Sequence, residues 1–242
     1  MALIAALKTE AACFTSGRPL PGLPADLDDR FTLILGGMGP ARAARAAEKM
    51  IREGARALIS IGMAGALQPG ISSGDVLLPE RVADAGGCLN TTESWRAAIV
   101  ERLADTTLTV HGGLLHSVAS VLGTASAKSA YGSSTGAVAV DMESAAIVGA
   151  AQRHGVPAVV VRVVVDPVDV NLPLEILEQL DPYGSIRIKR VLSAIGGRPA
   201  LVPDMIRLAR AQRAARRVLV QLGRRRHELL ATDIVAHMQS RP

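Results

Sequence analysis

The sequence predicts an α/β domain of three layers, with helices on both faces of a central sheet that is mixed and mostly parallel. Three observations lead there. A strand pattern at 31–35, a glycine turn, a helical stretch at 41–52 and a second strand pattern at 57–61 follow in order; that succession marks a parallel pair joined by a crossover helix. Residues 158–165 read Ala-Val-Val-Val-Arg-Val-Val-Val, which suits a strand buried on both faces. Hydrophobic residues make up 49% of the 242, enough to fill one large core without a second domain.

Taken in order, 3–7 is a short buried strand, and Pro19, Pro21, Gly22 and Pro24 mark a loop after it. The strand at 31–35 ends in Gly36-Gly37-Met38-Gly39, with Pro40 opening the next helix, where its missing N–H is harmless. Helix 41–52 stops at Gly54, and the third strand, 57–61, is closed by Gly62 and Gly65. A turn at 70–74 leads to strand 75–78, a helix near 93–103 and a strand near 108–115. A short strand at 137–140 runs into helix 142–153, and Gly155-Val156-Pro157 separates that helix from the valine strand. Beyond Asp166-Pro167 the pattern is helical, with breaks at Pro173, Pro182, Gly196 and Pro199. With no internal repeat and no low-complexity linker, residues 1–242 read as a single domain carrying a basic helical C-terminal extension over about 173–242.

Composition narrows the function. The aromatics are Phe14, Phe31, Trp95, Tyr131 and Tyr183 alone, too few for a stacking platform, so no nucleic-acid partner is expected. The net charge of +5 is concentrated near the C-terminus in Arg207, Arg210, Arg213, Arg216, Arg217, Arg224, Arg225 and Arg226. Such a helix reads first as a solvated face and second as a peripheral contact with anionic membrane. Cys13 and Cys88 form no CxxC pair, which disfavours a disulfide framework or a zinc site and suits a reducing cytoplasm. Residues 1–6 lack a basic region and already read as strand, so no signal peptide is expected, and no apolar run is long enough to span a bilayer. The location expected is cytoplasmic, with peripheral contact at the inner membrane as the second reading.

Three acids fall at strand ends: Glu10, Glu143 and Asp166. In open α/β sheets that is where ligands sit. Each also has an ordinary reading. Glu143, in the first turn of a helix, is favoured by the helix dipole, and Asp166 before Pro167 suits a turn.

Together they carry a resemblance. Val140-Asp141-Met142-Glu143-Ser144-Ala145-Ala146 resembles the V-E-M-E-x-A motif of the nucleoside phosphorylase and methylthioadenosine/S-adenosylhomocysteine nucleosidase superfamily. Val161-Arg162-Val163-Val164-Val165-Asp166 resembles its V-R-x-x-S-D strand. Ser60-Ile61-Gly62-Met63-Ala64-Gly65-Ala66-Leu67, followed by Gly74-Asp75-Val76, resembles its G-S-A-G-G-L…G-D stretch. The turn at 36–39 matches its glycine turn, and Ala6-Leu7-Lys8-Thr9-Glu10 its N-terminal acid. In its C-terminal third the chain is similar to the hopanoid-associated phosphorylase branch, which implies removal of adenine from adenosylhopane.

The resemblance implies a phosphorylase/hydrolase-like fold and cleavage of the N-glycosidic bond of a purine nucleoside. It gives Asp166 the purine N7, Glu143 the ribose hydroxyls and Glu10 an attacking water. Met142 packs against the sugar, and Gly62, Met63, Ser117 and Val121 border the substrate. Where the family often stacks an aromatic on the base, this chain has Val121. No cofactor is implied; inorganic phosphate is the one candidate co-substrate, held by Gly36, Gly37, Gly39 and Ser60. Phosphorylases of the superfamily hold it with an arginine and a serine around the third strand, where this chain offers Ser60 and Met63. Glu10 and the missing cation favour hydrolysis, the branch favours phosphorolysis, and Arg42, Arg45 or a partner subunit's arginine could restore a phosphate site. The family is usually a homodimer or larger.

Other readings are weaker. Two G-x-S-x-G matches, around Ser72 and Ser134, precede strands rather than follow them, the reverse of a nucleophile elbow. G-x-G-x-x-G is absent, and His111, His116, His154, His227 and His237 lack metal-ligand spacing. Lys128, in a short helical segment ahead of Tyr131, reads as solvated. A non-catalytic nucleoside-binding scaffold stands as the alternative to an enzyme.

Overall fold

A computed structural model describes residues 1–172, 181–185 and 202–231. The breaks expected at Pro173, Gly196 and Pro199 lie outside these residues. The parallel centre of its sheet is β1 (Ala2–Ala5), β3 (Thr32–Leu35), β4 (Leu58–Ala66) and β11 (Ala158–Asp166), in the spatial order β3-β1-β4-β11. An edge strand, β2 (Pro24–Asp26), pairs antiparallel with β3. The far end of β4 pairs antiparallel with β10 (Ala139–Asp141), from which β9 (Leu114–Ser117), β6 (Arg81–Asp84) and β7 (Gly87–Asn90) continue. On the other side of β11 lie β5 (Val76–Leu77) and β8 (Val110–His111). Six of these ten pairings are parallel, so the sheet is mixed and mostly parallel, as expected.

Alternation along the strands sorts side chains onto two faces. Leu3, Ala5, Ile59, Ile61, Val159, Val161 and Val163 meet α1 (Lys8–Ala11), α3 (Glu93–Ala104) and two C-terminal helices, α6 (Val202–Arg224) and α7 (Arg226–Leu229). Ala2, Ile4, Leu58, Val160 and Val164 meet α2 (Pro40–Arg52) and α5 (Ser144–Arg153). On that second face, the alternation also places Ser60 and Arg162, two polar groups in an otherwise apolar layer. The remaining helix, α4 (Ala125–Thr135), packs at the end of β4.

Several boundaries differ from the sequence reading. Gly62 and Gly65 lie inside β4 rather than closing it, because side chains from α1 and β11 need the space above them. An alanine Cβ at Gly62 would sit 2.2 Å from Arg162 Nη1 and 2.6 Å from Glu10 Oε1. The strand expected at 108–115 splits into β8 and β9 at Gly112-Gly113. Glu143 is the N-cap of α5 rather than a first-turn residue.

The basic C-terminal helix is not simply a solvated extension. Ala215, Leu219 and Leu222 of α6 and Leu229 of α7 are fully buried, and Trp95 Nε1 donates to Leu230 O at 3.0 Å. Arg207, Arg210, Arg213, Arg216, Arg217 and Arg224 occupy the exposed face, while Arg226 Nε donates to Asp28 Oδ2 at 2.7 Å. Among the described residues no helix is long and apolar enough to cross a membrane.

Candidate active site

Four acids and two cations come together here: Glu10 from α1, Asp141 from β10, Glu143 at the start of α5 and Asp166 from β11, with Arg162 of β11 and Lys128 of α4. Glu10 is the third residue of α1, and its side chain reaches back as a capping acid does. Its Oε2 accepts from Ala6 N at 3.1 Å and Leu7 N at 2.9 Å, and its Oε1 from Met63 N at 2.8 Å. Two oxygens offer about four acceptor positions, so three amides leave one open. Burial pushes the Glu10 carboxyl up from the ordinary range, and the Arg162 charge opposes that shift.

Glu143 is fixed from the neighbouring loop. The N–H of Gly39, at the N-cap of α2, donates to its Oε1 at 2.8 Å. Burial, with Asp141 beside it, pushes Glu143 up to about 7. At neutral pH it therefore changes protonation readily, the condition in which a carboxyl can both accept and return a proton.

Arg162 is the hub beneath both. Its Nη2 lies 2.7 Å from Asp141 Oδ2 and 3.9 Å from Glu143 Oε2. The same nitrogen donates to Ser60 Oγ at 2.9 Å and Ser144 Oγ at 3.0 Å. Because Arg162 stands opposite Gly62 in the β11/β4 register, only a residue without a Cβ leaves the guanidinium room. Asp141 is further held by Ser117, whose hydroxyl donates to Oδ1 at 2.5 Å.

Asp166 ends β11 beyond a register shift that follows Val164. The irregularity turns consecutive residues toward the same space, as bulges do, so both Val165 and Asp166 line the cavity. Its Oδ2 accepts from Lys128 Nζ at 2.9 Å. Lys128 is 0% exposed, so the solvated position expected for it is wrong. It occupies the buried face of α4, one turn before Gly132, rather than the solvent side. Burial pushes the Asp166 carboxyl up, with Lys128 pulling against that shift.

These acids border a single cavity of about 190 Å³. Glu10, Asp141, Glu143 and Asp166 line it, with Met63 and Met142. Its remaining wall is mostly apolar, with Leu7, Met38, Val118, Val121, Leu122, Leu172 and Leu208, and Gln212 of α6 adds one polar amide. Among the described lining residues there is no lysine, arginine or histidine. A cavity so charged favours a group that becomes positive, because preoriented acids meet the developing charge without reorganising.

The candidates from the sequence divide accordingly. Glu10, Met63, Val121, Met142, Glu143 and Asp166 come together at the cavity. Ser117, Gly62 and Ser60 lie behind it: Ser117 orients Asp141, Gly62 makes room for Arg162, and fully buried Ser60 bonds Arg162. The glycine turn does not present an open anion cradle. Gly36 N donates to Ala5 O, Met38 N to Pro182 O and Gly39 N to Glu143, while Gly37 is covered by Arg42 and Tyr183. Arg42 and Arg45 border a separate groove. His116 meets Tyr131 and His111 meets Asp75, both away from the four acids. His227 lies with Asp28 and Asp29, outside the cavity, where Asp28 is already held by Arg226.

The sequence reading takes Lys128 as solvated and gives no role to Asp141 or Arg162. A lone arginine within seven valine and alanine neighbours was the available signal, since a buried charge requires a partner.

Comparison with known proteins agrees with this frame. The family model described as the phosphorylase superfamily matches residues 25–195. The chain belongs to the phosphorylase superfamily. Solved structures similar to this superfamily chain include a methylthioadenosine/S-adenosylhomocysteine nucleosidase of Helicobacter pylori holding 5′-methylthioadenosine, at 17% identity and TM-score 0.64, covering 81% of this chain and 97% of the other. The futalosine hydrolase of Helicobacter pylori is 18% identical with TM-score 0.61, covering 69% and 84% of the two chains. A Streptococcus pneumoniae nucleosidase bound to 8-aminoadenine is 24% identical with TM-score 0.60, covering 69% and 86%. A search among curated proteins found no match. The superfamily membership and fold read from the motifs at 140–146 and 161–166 are thus borne out.

Proposed function

We propose that this superfamily chain hydrolyses the N-glycosidic bond of an adenine nucleoside carrying a large apolar 5′ substituent, with adenosylhopane as the substrate. One observation carries the reading: Glu10, Glu143 and Asp166 border the same cavity, whose other walls, apart from Asp141 and Gln212, are apolar. As the C–N bond breaks, its electron pair passes to the purine and the sugar takes on positive charge. Asp166 holds N7 of the departing base and supplies its proton. Glu143 accepts hydrogen bonds from the ribose hydroxyls and stabilises the cationic sugar, and Met142 packs against the ring. Water attacks the sugar from the side of Glu10, whose remaining acceptor position takes the released proton.

Water is favoured over phosphate because no described lining residue is cationic and Arg162 is bound to Asp141, Ser60 and Ser144. The apolar wall of Leu7, Met38, Val121, Leu122, Leu172 and Leu208 supports an apolar substituent. The exposed arginines of α6, whose Leu208 borders the cavity, support delivery of such a substrate from an anionic membrane surface on the cytoplasmic side. A homodimer is part of this proposal, since Val121 borders the cavity while 42% exposed.

A second reading is a methylthioadenosine/S-adenosylhomocysteine nucleosidase. It is favoured by similarity in fold to the Helicobacter pylori and Streptococcus pneumoniae proteins. Adenine release from adenosines bearing a methylthio, homocysteinyl or long alkyl 5′ group, each with and without phosphate, tests both. A preference for the alkyl substrate without phosphate supports the first. A preference for the methylthio compound supports the second, dependence on phosphate overturns hydrolysis, and binding without release identifies a scaffold.

A further inference from the structure

We infer that Lys128 is the positioning residue for Asp166, pinning one carboxylate oxygen from beneath so that the rest of the group faces the base. The inference rests on the reading that Asp166 meets the purine. Lys128 does not line the cavity; Asp166 does. The ammonium donates to Asp166 Oδ2 at 2.9 Å and to Pro167 O at 2.7 Å. It therefore bridges the side chain and the backbone carbonyl of the next residue: the bond to Pro167 O fixes the ammonium, and the fixed ammonium holds Asp166 Oδ2.

Stability is a poor reason for such a pair. A lysine 0% exposed, facing an aspartate 5% exposed, is desolvated heavily, and apolar residues of similar volume often serve a core as well or better. The local packing is nonetheless built to bring it there. Gly132, one turn after Lys128 on α4, approaches so closely that an added Cβ would sit 2.6 Å from Leu67 O. Thr124 caps the helix by accepting from Ala127 N at 3.2 Å, and Gly123 O accepts from Leu172 N at 2.8 Å. The same short segment thus joins Lys128 to Leu122 and Leu172 of the cavity wall.

Other charges also surround Asp166. Glu10, Asp141 and Glu143 border the shared cavity, and Arg207 and Arg210 of α6 line an outer groove with Asp166. Among the described residues, Lys128 makes a salt bridge with Asp166 at 2.9 Å. Its charge opposes the effect of burial, so Asp166 titrates higher once that charge is removed.

The test is a cycle of Lys128→Met, Asp166→Asn and the double variant, read by kcat, KM and the pH profile of adenine release, with ¹³C NMR titration of the Asp166 carboxyl in the substrate-free protein. Lys128→Met is expected to lower kcat by about tenfold to a hundredfold, the scale of lost acid–base help, with little change in KM. Its NMR titration midpoint and the matching limb of the pH profile move to higher pH. In the Asp166→Asn background the same change adds less than about twofold, as expected for a residue acting through the other. Lys128→Arg keeps the charge but shifts the donor: it holds the titration near wild type while still lowering kcat, and replaces Met in the cycle should that variant not fold. An unmoved NMR midpoint in Lys128→Met, a midpoint moved upward in Lys128→Arg, or equal losses of kcat in both backgrounds overturns the inference. Failure of the underlying reading looks different: wild type releases no adenine, or Asp166→Asn releases it at the wild-type rate, and the NMR titration still decides whether Lys128 controls Asp166.

Discussion

Arg162 and Asp141 meet at 2.7 Å with both side chains 1% exposed. That contact ties β11 to the end of β10 and balances one of the four acids around the cavity. Since Glu143 follows Asp141 by two residues and also lies 3.9 Å from the guanidinium, the position of the Glu143 carboxyl depends on a residue that does not line the cavity.

Replacing Arg162 with Met therefore leaves Asp141 buried without its counter-charge. The expected loss is about 3–5 kcal/mol of folding stability, the usual penalty for breaking one side of a buried pair. Denaturant unfolding checks it; a loss below about 1 kcal/mol, typical of surface pairs, contradicts the hub role.

Gly62→Ala should act on the same hub by another route. The new methyl collides with Arg162 Nη1 and the Glu10 carboxylate, so both must shift, at about 1–3 kcal/mol for overpacking. Activity is expected to fall much more than stability, because Glu10 and Arg162 lose alignment together. Unaltered kcat/KM in this variant would show that their placement does not matter to turnover.

The pH dependence of stability has a definite sign. Burial raises Glu10, Asp166 and Glu143, the last to about 7. In the range between the ordinary carboxylate values and neutrality the folded chain binds more protons than the unfolded one, so its stability is greatest at the acidic end and falls as pH rises through about 7. Thermal melts of the substrate-free protein should show a falling midpoint from mildly acidic to mildly alkaline pH, and Glu143→Gln should flatten it. A rising midpoint with no response to that substitution would count against burial as the dominant cause.

Much of this was legible in the chain. The alternation and glycine punctuation gave the parallel centre, and the motif at 140–146 with Asp166 gave a shared site. What escaped the reading depends on approach between elements. Lys128 follows ordinary helix chemistry, and only the docking of α4 through Gly132 buries it. Gly62 and Gly65 read as strand terminators because their close neighbours, Arg162 and Asp166, come from a strand about a hundred residues later. The β6/β7 hairpin and α1 are short and carry weak periodicity, so nothing local distinguished them from loop.

The C-terminal helix offers a separate check on that contrast between pattern and packing. Leu219 on α6 is fully buried in the core while Arg213 is exposed. Leu219→Ala is expected to destabilise by about 2–5 kcal/mol, and Arg213→Ala by less than about 0.5 kcal/mol. Equal, small effects in denaturant unfolding would restore the picture of a solvated extension.

The convergence of Glu143 and Asp166 on one nucleoside is tested most directly by adenine release from a 5′-alkyl adenosine in wild type, Glu143→Gln and Asp166→Asn. Wild type is expected to release adenine without phosphate, and each substitution to lower kcat/KM by on the order of a hundredfold or more. Folded variants that both release adenine at the wild-type rate would contradict it.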